Sequence, residues 1–255
     1  METFLKTIDL LLVLSFRLHD GLSRFLMEYM GGIKRALLVI AHLTLFGLLF
    51  PEYRRSFGEQ GLNLLFVILF LSPLSKIFRM RFLFLLMGFR RQLGILFAYL
   101  IIIHGVGFLI DPMWYALIIA PYLPGNIFGI ESRILFGIVA FFLTLPLLLT
   151  SNEFSNRILG KNWKRLHRIV YVLFAFAVFH KMYEGGRTMR PIIDPSALLG
   201  ALSLIGSYAF LKLLAWKNFF PPLRRAIELV SLRYRSYHQS TVKPVVFPPE
   251  RPSKS

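Results

Sequence analysis

The chain has 255 residues, of which 56% are hydrophobic and 17% are charged, and its mean hydropathy is +0.61. Soluble domains contain about 45–50% apolar residues, so the composition excludes an ordinary water-soluble globule, and the long apolar runs exclude a disordered chain. Lys and Arg (30) outnumber Asp and Glu (13), which gives a formal net charge of +17. With so much apolar sequence, this excess indicates contact with membrane lipid and no nucleic acid. The absence of cysteine excludes disulfides, iron–sulfur clusters and thiol catalysis.

The first 32 residues contain one apolar run that is too short to cross a membrane. This run, Ile8–Phe16, has Lys6, Asp9 and Arg17 within or beside it, and a spanning helix needs about 20 apolar residues. We therefore predict that residues 1–32 form an amphipathic helix on the membrane surface. A cleaved signal peptide is the alternative, but the segment lacks a strongly basic start and an obvious small-residue cleavage site.

Six longer apolar stretches follow, each near the length that spans the hydrocarbon core. They are Ile33–Phe50, Leu62–Ile77, Gln92–Ile110, Ile134–Thr150, Ile169–Tyr183 and Ala197–Ala215. Since no alternating pattern of membrane strands is present, we predict an all-α integral membrane protein, a six-helix transmembrane bundle preceded by the amphipathic helix. The predicted parts are an interfacial segment (1–32), a six-span domain (33–215) and a basic cytoplasmic tail (216–255) that is partly disordered.

The basic residues of the connections predict the orientation, because cytoplasmic loops retain an excess of Lys and Arg. Five basic residues lie in the connection 74–91 and five in the connection 151–168, whereas the connection 111–131 has none. We therefore place both basic connections, and both termini, in the cytoplasm.

Four histidines lie within or at the edge of predicted spans, where ionisable side chains are costly and are functional candidates. His104 follows Arg91 by 13 residues and His180 follows His167 by 13 residues, so two helices running in the same direction bring His104 and His180 to a similar depth. Two facing imidazoles with apolar walls are what a bis-histidyl haem needs. The alternative for each histidine is a hydrogen-bonded role in helix packing, which we favour for His42.

Other functional classes fit this pattern less well. Zinc needs further ligands, and apart from Glu184 no second His, Asp or Glu lies within one helical turn of His104 or His180. A proton-coupled transporter typically has buried carboxylates, and the predicted spans are nearly free of them. The sequence has neither a G-x-G-x-x-G motif nor a segment long enough for a nicotinamide domain, so we expect a separate electron donor and no catalytic residue in the chain.

Three segments resemble the ferric-reductase-like transmembrane domain. They are Gly61–Lys76 (GLNLLFVILFLSPLSK), Arg90–His104 (RRQLGILFAYLIIIH) and Leu159–His180 (LGKNWKRLHRIVYVLFAFAVFH). Within that superfamily the chain is most similar to the haem-binding membrane subunit of the periplasmic methionine-sulfoxide reductase system, the MsrQ/YedZ type. The dense resemblance covers residues 61–183.

The resemblance implies a haem b held by His104 and His180, with His167 as a further ligand. It implies one or two haems, since a second haem at the cytoplasmic side would need a ligand opposite His167. The options are Met80, Met87, Arg90 or Arg91, or a five-coordinate iron. On an ideal helix His167 and His180 would point about 140° apart, so tilt, a tightened turn or a frayed helix start would have to reconcile them.

Residues near the cytoplasmic edge are candidates for binding haem propionates. Arginine binds carboxylates well. An equally good alternative is that the basic residues are topology anchors and that Tyr171 is an interfacial residue. The cofactor-binding candidates are Arg90, Arg91, Lys164, Arg165 and Tyr171. Family members have also been associated with flavin mononucleotide (FMN), although no motif in this chain requires it.

The resemblance therefore implies an electron-transfer subunit in the bacterial inner membrane. Electrons would come from a cytoplasmic flavin reductase or the quinone pool and would pass through haem to a periplasmic molybdopterin-containing methionine-sulfoxide reductase. Two alternatives stay open. One is a ferric- or oxygen-reducing electron carrier of the same superfamily, which would need a flavin domain, and the other is a haem-free membrane transporter or scaffold.

Overall fold

A computed structural model of the chain describes residues 2–78, 80–112, 132–183 and 195–216, with the single positions 229 and 232. Most of these residues are helical, in α1 (Glu2–Thr44), α2 (Arg54–Phe78), α3 (Arg81–Met87), α4 (Arg90–Leu109), α5 (Ser132–Leu149), α6 (Glu153–Leu159), α7 (Lys161–Leu166), α8 (Ile169–Tyr183) and α9 (Pro195–Trp216). Two 3₁₀-helices, Leu45–Leu49 and Pro51–Tyr53, join α1 to α2. The described residues contain no strand, and the prediction of an all-α protein is confirmed for them.

Helix α1 crosses the predicted boundary at residue 32 without a break. Around His19 it packs against α3, where Nε2 of His19 accepts a hydrogen bond from the backbone N–H of Phe82 at 3.3 Å. Further along, α1 packs against α4. An unbroken helix satisfies the backbone hydrogen bonds that an interruption within the membrane would leave unpaired. The interfacial role of residues 1–32 stays a prediction.

The structure makes this a multi-pass membrane protein. Among the described residues, three helical segments are long and apolar enough to cross a membrane, namely Arg17–Leu49, Pro51–Phe78 and Arg90–Leu109. A fourth is added if α5 and α6 form one span with a 90° bend, and α9 contains a shorter apolar segment, Leu202–Ala215. The number of six spans therefore stays a prediction, although the residue bounds of α4, α5, α8 and α9 agree within a few residues with those of predicted spans.

The buried core lies where α2, α4, α5, α8 and α9 meet. Helix α2 packs closely along α4, and α5 packs closely along α8. Leu65 and Leu69 of α2 pack with Leu173 and Phe174 of α8 in one buried cluster, and the rings of Phe66 and Phe174 meet edge to face with centroids 5.2 Å apart. Helices α4 and α8 each contact α2 and α5 but approach each other less closely, so they face each other across the bundle.

Two short helices turn the chain between α5 and α8. Asn152 caps α6, since its side-chain oxygen accepts a hydrogen bond from the backbone N–H of Ser155 at 2.7 Å. Gly160 separates α6 from α7 with a φ of 48°, a left-handed conformation that favours glycine. The turn returns the chain to the bundle at the start of α8.

Candidate functional site

His104 of α4 and His180 of α8 meet across the bundle. Their ring centroids are 6.1 Å apart and their ring planes cross at 71°. The structure thus brings together the two histidines for which the sequence spacing predicts a similar depth. A bond from a metal to an imidazole nitrogen is about 2 Å long, so rings at this separation could both bind one metal ion placed between them. The separation therefore suits a shared metal.

The His104 ring is oriented through its Nδ1 atom. Nδ1 lies 2.9 Å from the backbone carbonyl oxygen of Arg54 at the start of α2. Because a carbonyl can only accept, Nδ1 donates this hydrogen bond, and Nε2 of the neutral ring then carries the lone pair that a metal needs. Histidines that bind metals usually make such a hydrogen bond with their other nitrogen, and it fixes both the tautomer and the ring direction.

Arg54 is itself held by its side chain. The guanidinium pairs with Asp111 at 2.6 Å, and the two side chains are only 19% and 20% exposed. It also lies over the ring of Phe108, 4.7 Å from the centroid, and Phe108 contacts His104 with centroids 5.1 Å apart. Sequence reasoning missed Arg54 and Asp111, because it placed both in outer connections and no local pattern links residues so far apart.

Two glycines leave room for the histidine rings. A Cβ atom on Gly58 of α2 would lie 2.6 Å from Cε1 of His104, and one on Gly137 of α5 would lie 2.8 Å from Cε1 of His180. Ordinary contacts between carbon atoms are about 3.5–4.0 Å, so any other residue at these positions would push the rings away. Each ring therefore lies directly against the backbone of a neighbouring helix.

Aromatic residues provide the apolar surroundings that a haem requires. Phe136 of α5 lies beside Phe176 and Phe179 of α8, with centroids 5.9 and 5.5 Å apart. The described residues contain no group of three or more His, Asp or Glu side chains that could hold a metal ion. The donor set is thus a facing pair of imidazoles in apolar surroundings, which fits the axial positions of a haem.

His167 lies at the opposite end of α8 from His180, in the turn before the helix. Its Nε2 is 3.1 Å from the hydroxyl oxygen of Thr150, and the indole of Trp163 stacks on it with centroids 4.0 Å apart. Burial lowers the pKa of His167, which favours the neutral form required of a metal ligand. Because His167 precedes α8, the angle of about 140° for an ideal helix does not apply to it.

No residue suggested as a second ligand at His167 is hydrogen-bonded to it in the described part of the chain. There the side chain of His167 interacts with the hydroxyl of Thr150 and the indole of Trp163. The sulfur of Met87 accepts a hydrogen bond from Ser75 at 2.8 Å. The ligand opposite His167 stays an open part of the prediction.

The predicted propionate-binding residues share one end of the bundle but do not form one group. Arg91 donates a hydrogen bond to the carbonyl of Ser151 at 2.9 Å and pairs with Glu153 at 3.3 Å, so it joins the two connections predicted to be cytoplasmic. Lys164 and Arg165 are exposed on α7.

Arg90 and Tyr171 belong to a different group, which we call the Lys212 cluster: Arg90, Tyr171, Tyr208 and Lys212. Nζ of Lys212 lies 3.5 Å from the centroid of the Tyr171 ring, and the rings of Tyr171 and Tyr208 are 6.0 Å apart. Arg90 lies within electrostatic range of both phenols. Sequence reasoning missed Tyr208 and Lys212, which belong to the last helix and have no motif around them.

His42 has one hydrogen-bond partner in its own helix and one on α4, and neither belongs to the histidine pair. Its Nδ1 is 2.7 Å from the carbonyl oxygen of Leu38 in its own helix, and its Nε2 is 3.4 Å from the hydroxyl of Tyr99. These contacts are consistent with the packing role that we favour for His42, and they make it a suitable control for mutations at the histidine pair.

Comparison with known proteins places the chain in a family. Residues 57–178 match the family described as "Ferric reductase like transmembrane component", a segment that includes His104 and His167 and ends just before His180. No solved structure matches the chain.

Several curated relatives carry the name "Protein-methionine-sulfoxide reductase heme-binding subunit MsrQ". The Rhizobium meliloti protein is 32% identical over 131 residues, which cover 51% of this chain and 56% of that relative. The match to the Agrobacterium fabrum protein, at 30% identity, covers 58% of this chain and 66% of the relative. The match to the Azospira oryzae protein covers 76% of this chain and 74% of the relative at 34% identity. The chain therefore belongs to the MsrQ family of ferric-reductase-like membrane subunits.

Proposed function

We propose that this chain is a haem b subunit that carries electrons across a membrane toward the reduction of methionine sulfoxide in proteins. The observation that carries the proposal is the facing pair of His104 and His180, with Nδ1 of His104 held by the Arg54 carbonyl. The names of the MsrQ relatives support haem as the group bound there.

In this proposal each part of the site has a defined task. Nε2 of His104 and the ring of His180 hold the iron, and a bound haem would supply one-electron redox chemistry. The Arg54 carbonyl keeps the proton of His104 on Nδ1, and Gly58 and Gly137 admit the two rings. The aromatic residues give a bound haem apolar surroundings, which would limit solvent access to it.

We extend the proposal to His167 as a ligand of a second haem. The stacked indole of Trp163 and the hydroxyl of Thr150 support it, because together they hold the ring in one orientation. The candidates for propionate contacts are still Arg90, Arg91, Lys164, Arg165 and Tyr171. Arg91, however, already donates a hydrogen bond to Ser151 and pairs with Glu153. Binding of FMN stays a prediction, since no contact in the described residues defines a flavin site.

The direction of electron flow and the partners belong to the same proposal. We infer that the end of the bundle carrying Arg91 faces the cytoplasm, where two basic connections meet, and that the histidine pair lies nearer the periplasm of a bacterial inner membrane. The donor would be a cytoplasmic flavin reductase or the quinone pool. The acceptor would be a periplasmic molybdopterin-containing sulfoxide reductase.

The test is an absorption difference spectrum of the purified protein, reduced with dithionite minus oxidised, with haem quantified per chain. The wild-type protein is expected to show a b-type spectrum, while His104→Ala and His180→Ala each lose the haem held between them. His42→Ala, the matched control, is expected to keep it. Full haem retention in both ligand variants would refute the assignment, and a folded wild-type protein without haem would favour a transporter or scaffold.

A further inference from the structure

The Lys212 cluster gathers two cations and two phenols from three helices. Arg90 is the first residue of α4, Tyr171 lies near the start of α8, and Tyr208 and Lys212 lie one turn apart near the end of α9. All four therefore lie at the same end of the bundle, near the boundary between the apolar spans and the basic connections.

Neither cation of the cluster has an acidic partner among the residues that the structure describes. In the residues that the structure describes, other basic side chains form ion pairs, including Arg91 with Glu153 and Lys181 with Glu59, but Arg90 and Lys212 do not. The face of the Tyr171 ring attracts the Lys212 ammonium but does not neutralise it. Cations that lack an acidic partner at the edge of an apolar bundle favour binding of an anion.

The surroundings indicate what kind of anion this is. Tyr208 is buried, with 7% exposure, and contacts the core residues Phe70 and Phe174, so one side of the cluster is rigid. On the other side Lys212 is exposed, and the same end of α9 carries exposed apolar residues on its other faces, among them Phe210 and Leu213 (60% and 45%). A cation thus lies at the end of an apolar helix surface, which matches the headgroup level of a lipid whose acyl chains cover that surface.

We propose that the Lys212 cluster binds the phosphate of an anionic phospholipid. Lys212 and Arg90 supply the charge, and the phenol of Tyr171, which Tyr208 holds in place, supplies a hydrogen-bond donor at the depth of a headgroup. The exposed apolar surface at this end of α9, which includes Leu213, contacts the acyl chains. Bound in this way, the lipid joins α9 to α4 and α8, and it occupies Arg90 and Tyr171 in place of a haem propionate.

The experiment measures binding to the full-length protein in a zwitterionic detergent by the rise in its unfolding temperature. Short-chain phosphatidylglycerol, phosphatidylcholine and inorganic phosphate are titrated separately. Phosphatidylglycerol is expected to stabilise the wild-type protein, and Lys212→Gln is expected to weaken its binding about fivefold. Lys212→Arg retains the charge and is expected to bind as the wild type does. The matched control Lys161→Gln removes an exposed charge outside the cluster and is expected to change nothing.

Several results would overturn the proposal. One is an equal response to phosphatidylglycerol in the wild-type protein and Lys212→Gln, and another is equal stabilisation by phosphatidylcholine. Stabilisation by inorganic phosphate that matches the lipid would assign the cluster to a soluble phosphate group instead of a lipid. Haem content is measured in the same samples: loss of haem in Lys212→Gln with unchanged lipid binding would assign the cluster to the cofactor. If Lys212→Gln does not fold, Arg90→Gln takes its place.

Discussion

Replacing Gly58 with alanine tests whether the His104 ring has to occupy its observed position. The added Cβ would lie 2.6 Å from Cε1 of His104, whereas carbon atoms in contact are about 3.5 Å apart. The ring would have to retreat by about 0.9 Å, or α2 would have to move by as much. The side chains of a binding site must stay within about 0.5 Å of their productive positions. Disturbing the groups that hold a metal ligand in place typically lowers the metal affinity 10–100-fold. We therefore expect Gly58→Ala to bind haem 10–100-fold more weakly.

The chain offers matched controls for this substitution. Gly94 of α4 has no atom within 4 Å of the position that a Cβ would take, so Gly94→Ala is expected to bind haem normally. Both substitutions raise intrinsic helix propensity, by about 1 kcal/mol, and so neither loses stability through the backbone. Gly137→Ala, whose Cβ would lie 2.8 Å from Cε1 of His180, is expected to reproduce the defect from the other side of the site.

Haem affinity is measured by titrating the haem-free variants and following the absorption of the bound form. Circular dichroism of the same samples shows whether the helices are intact. Wild-type affinity in Gly58→Ala would refute the reasoning, because the ring would then not be confined by the α2 backbone. A loss in Gly94→Ala as large as in Gly58→Ala would refute it too, since the effect would not depend on contact with His104.

Two further predictions concern stability. Asp111→Asn leaves the Arg54 guanidinium without its carboxylate in a site only about one-fifth exposed. It is expected to lower the free energy of unfolding by about 1.5–3 kcal/mol. Lys181→Gln breaks an ion pair at the surface and is expected to lower the free energy of unfolding by less than about 1 kcal/mol. Thermal unfolding compares the two, and equal losses would contradict the difference in burial. Asn152→Ala removes the cap of α6 and is expected to cost about 1 kcal/mol. Hydrogen exchange should then rise in α6 alone, and unchanged exchange there would show that the cap contributes nothing.

The helices of the bundle were largely predictable because apolar length is a local property of the sequence. The stretch Ile169–Tyr183 is a helix with the predicted bounds, and α4 differs from its predicted span by a few residues. The exceptions are places where no local signal marks a helix end. The α1 helix continues through Gly31 and Gly32, and α2 begins at Arg54 within a segment read as a loop.

The histidine pair was predictable only in part. Equal spacing from basic edges placed His104 and His180 at a similar depth, because a helix converts residue number directly into distance along its axis. The spacing carries no information on which backbone each ring rests against. It therefore did not point to Gly58, Gly137 or the carbonyl of Arg54.

The amino-acid sequence by itself determined that this chain is an apolar, cysteine-free helical membrane protein with two histidines at one depth. Only the tertiary structure decided which atoms surround them. Arg54 and Asp111, and likewise Tyr171 and Lys212, come from segments far apart in the chain, and their approach depends on how the helices pack and rotate. Packing between distant segments follows from the whole bundle and leaves no pattern in the sequence around any one residue.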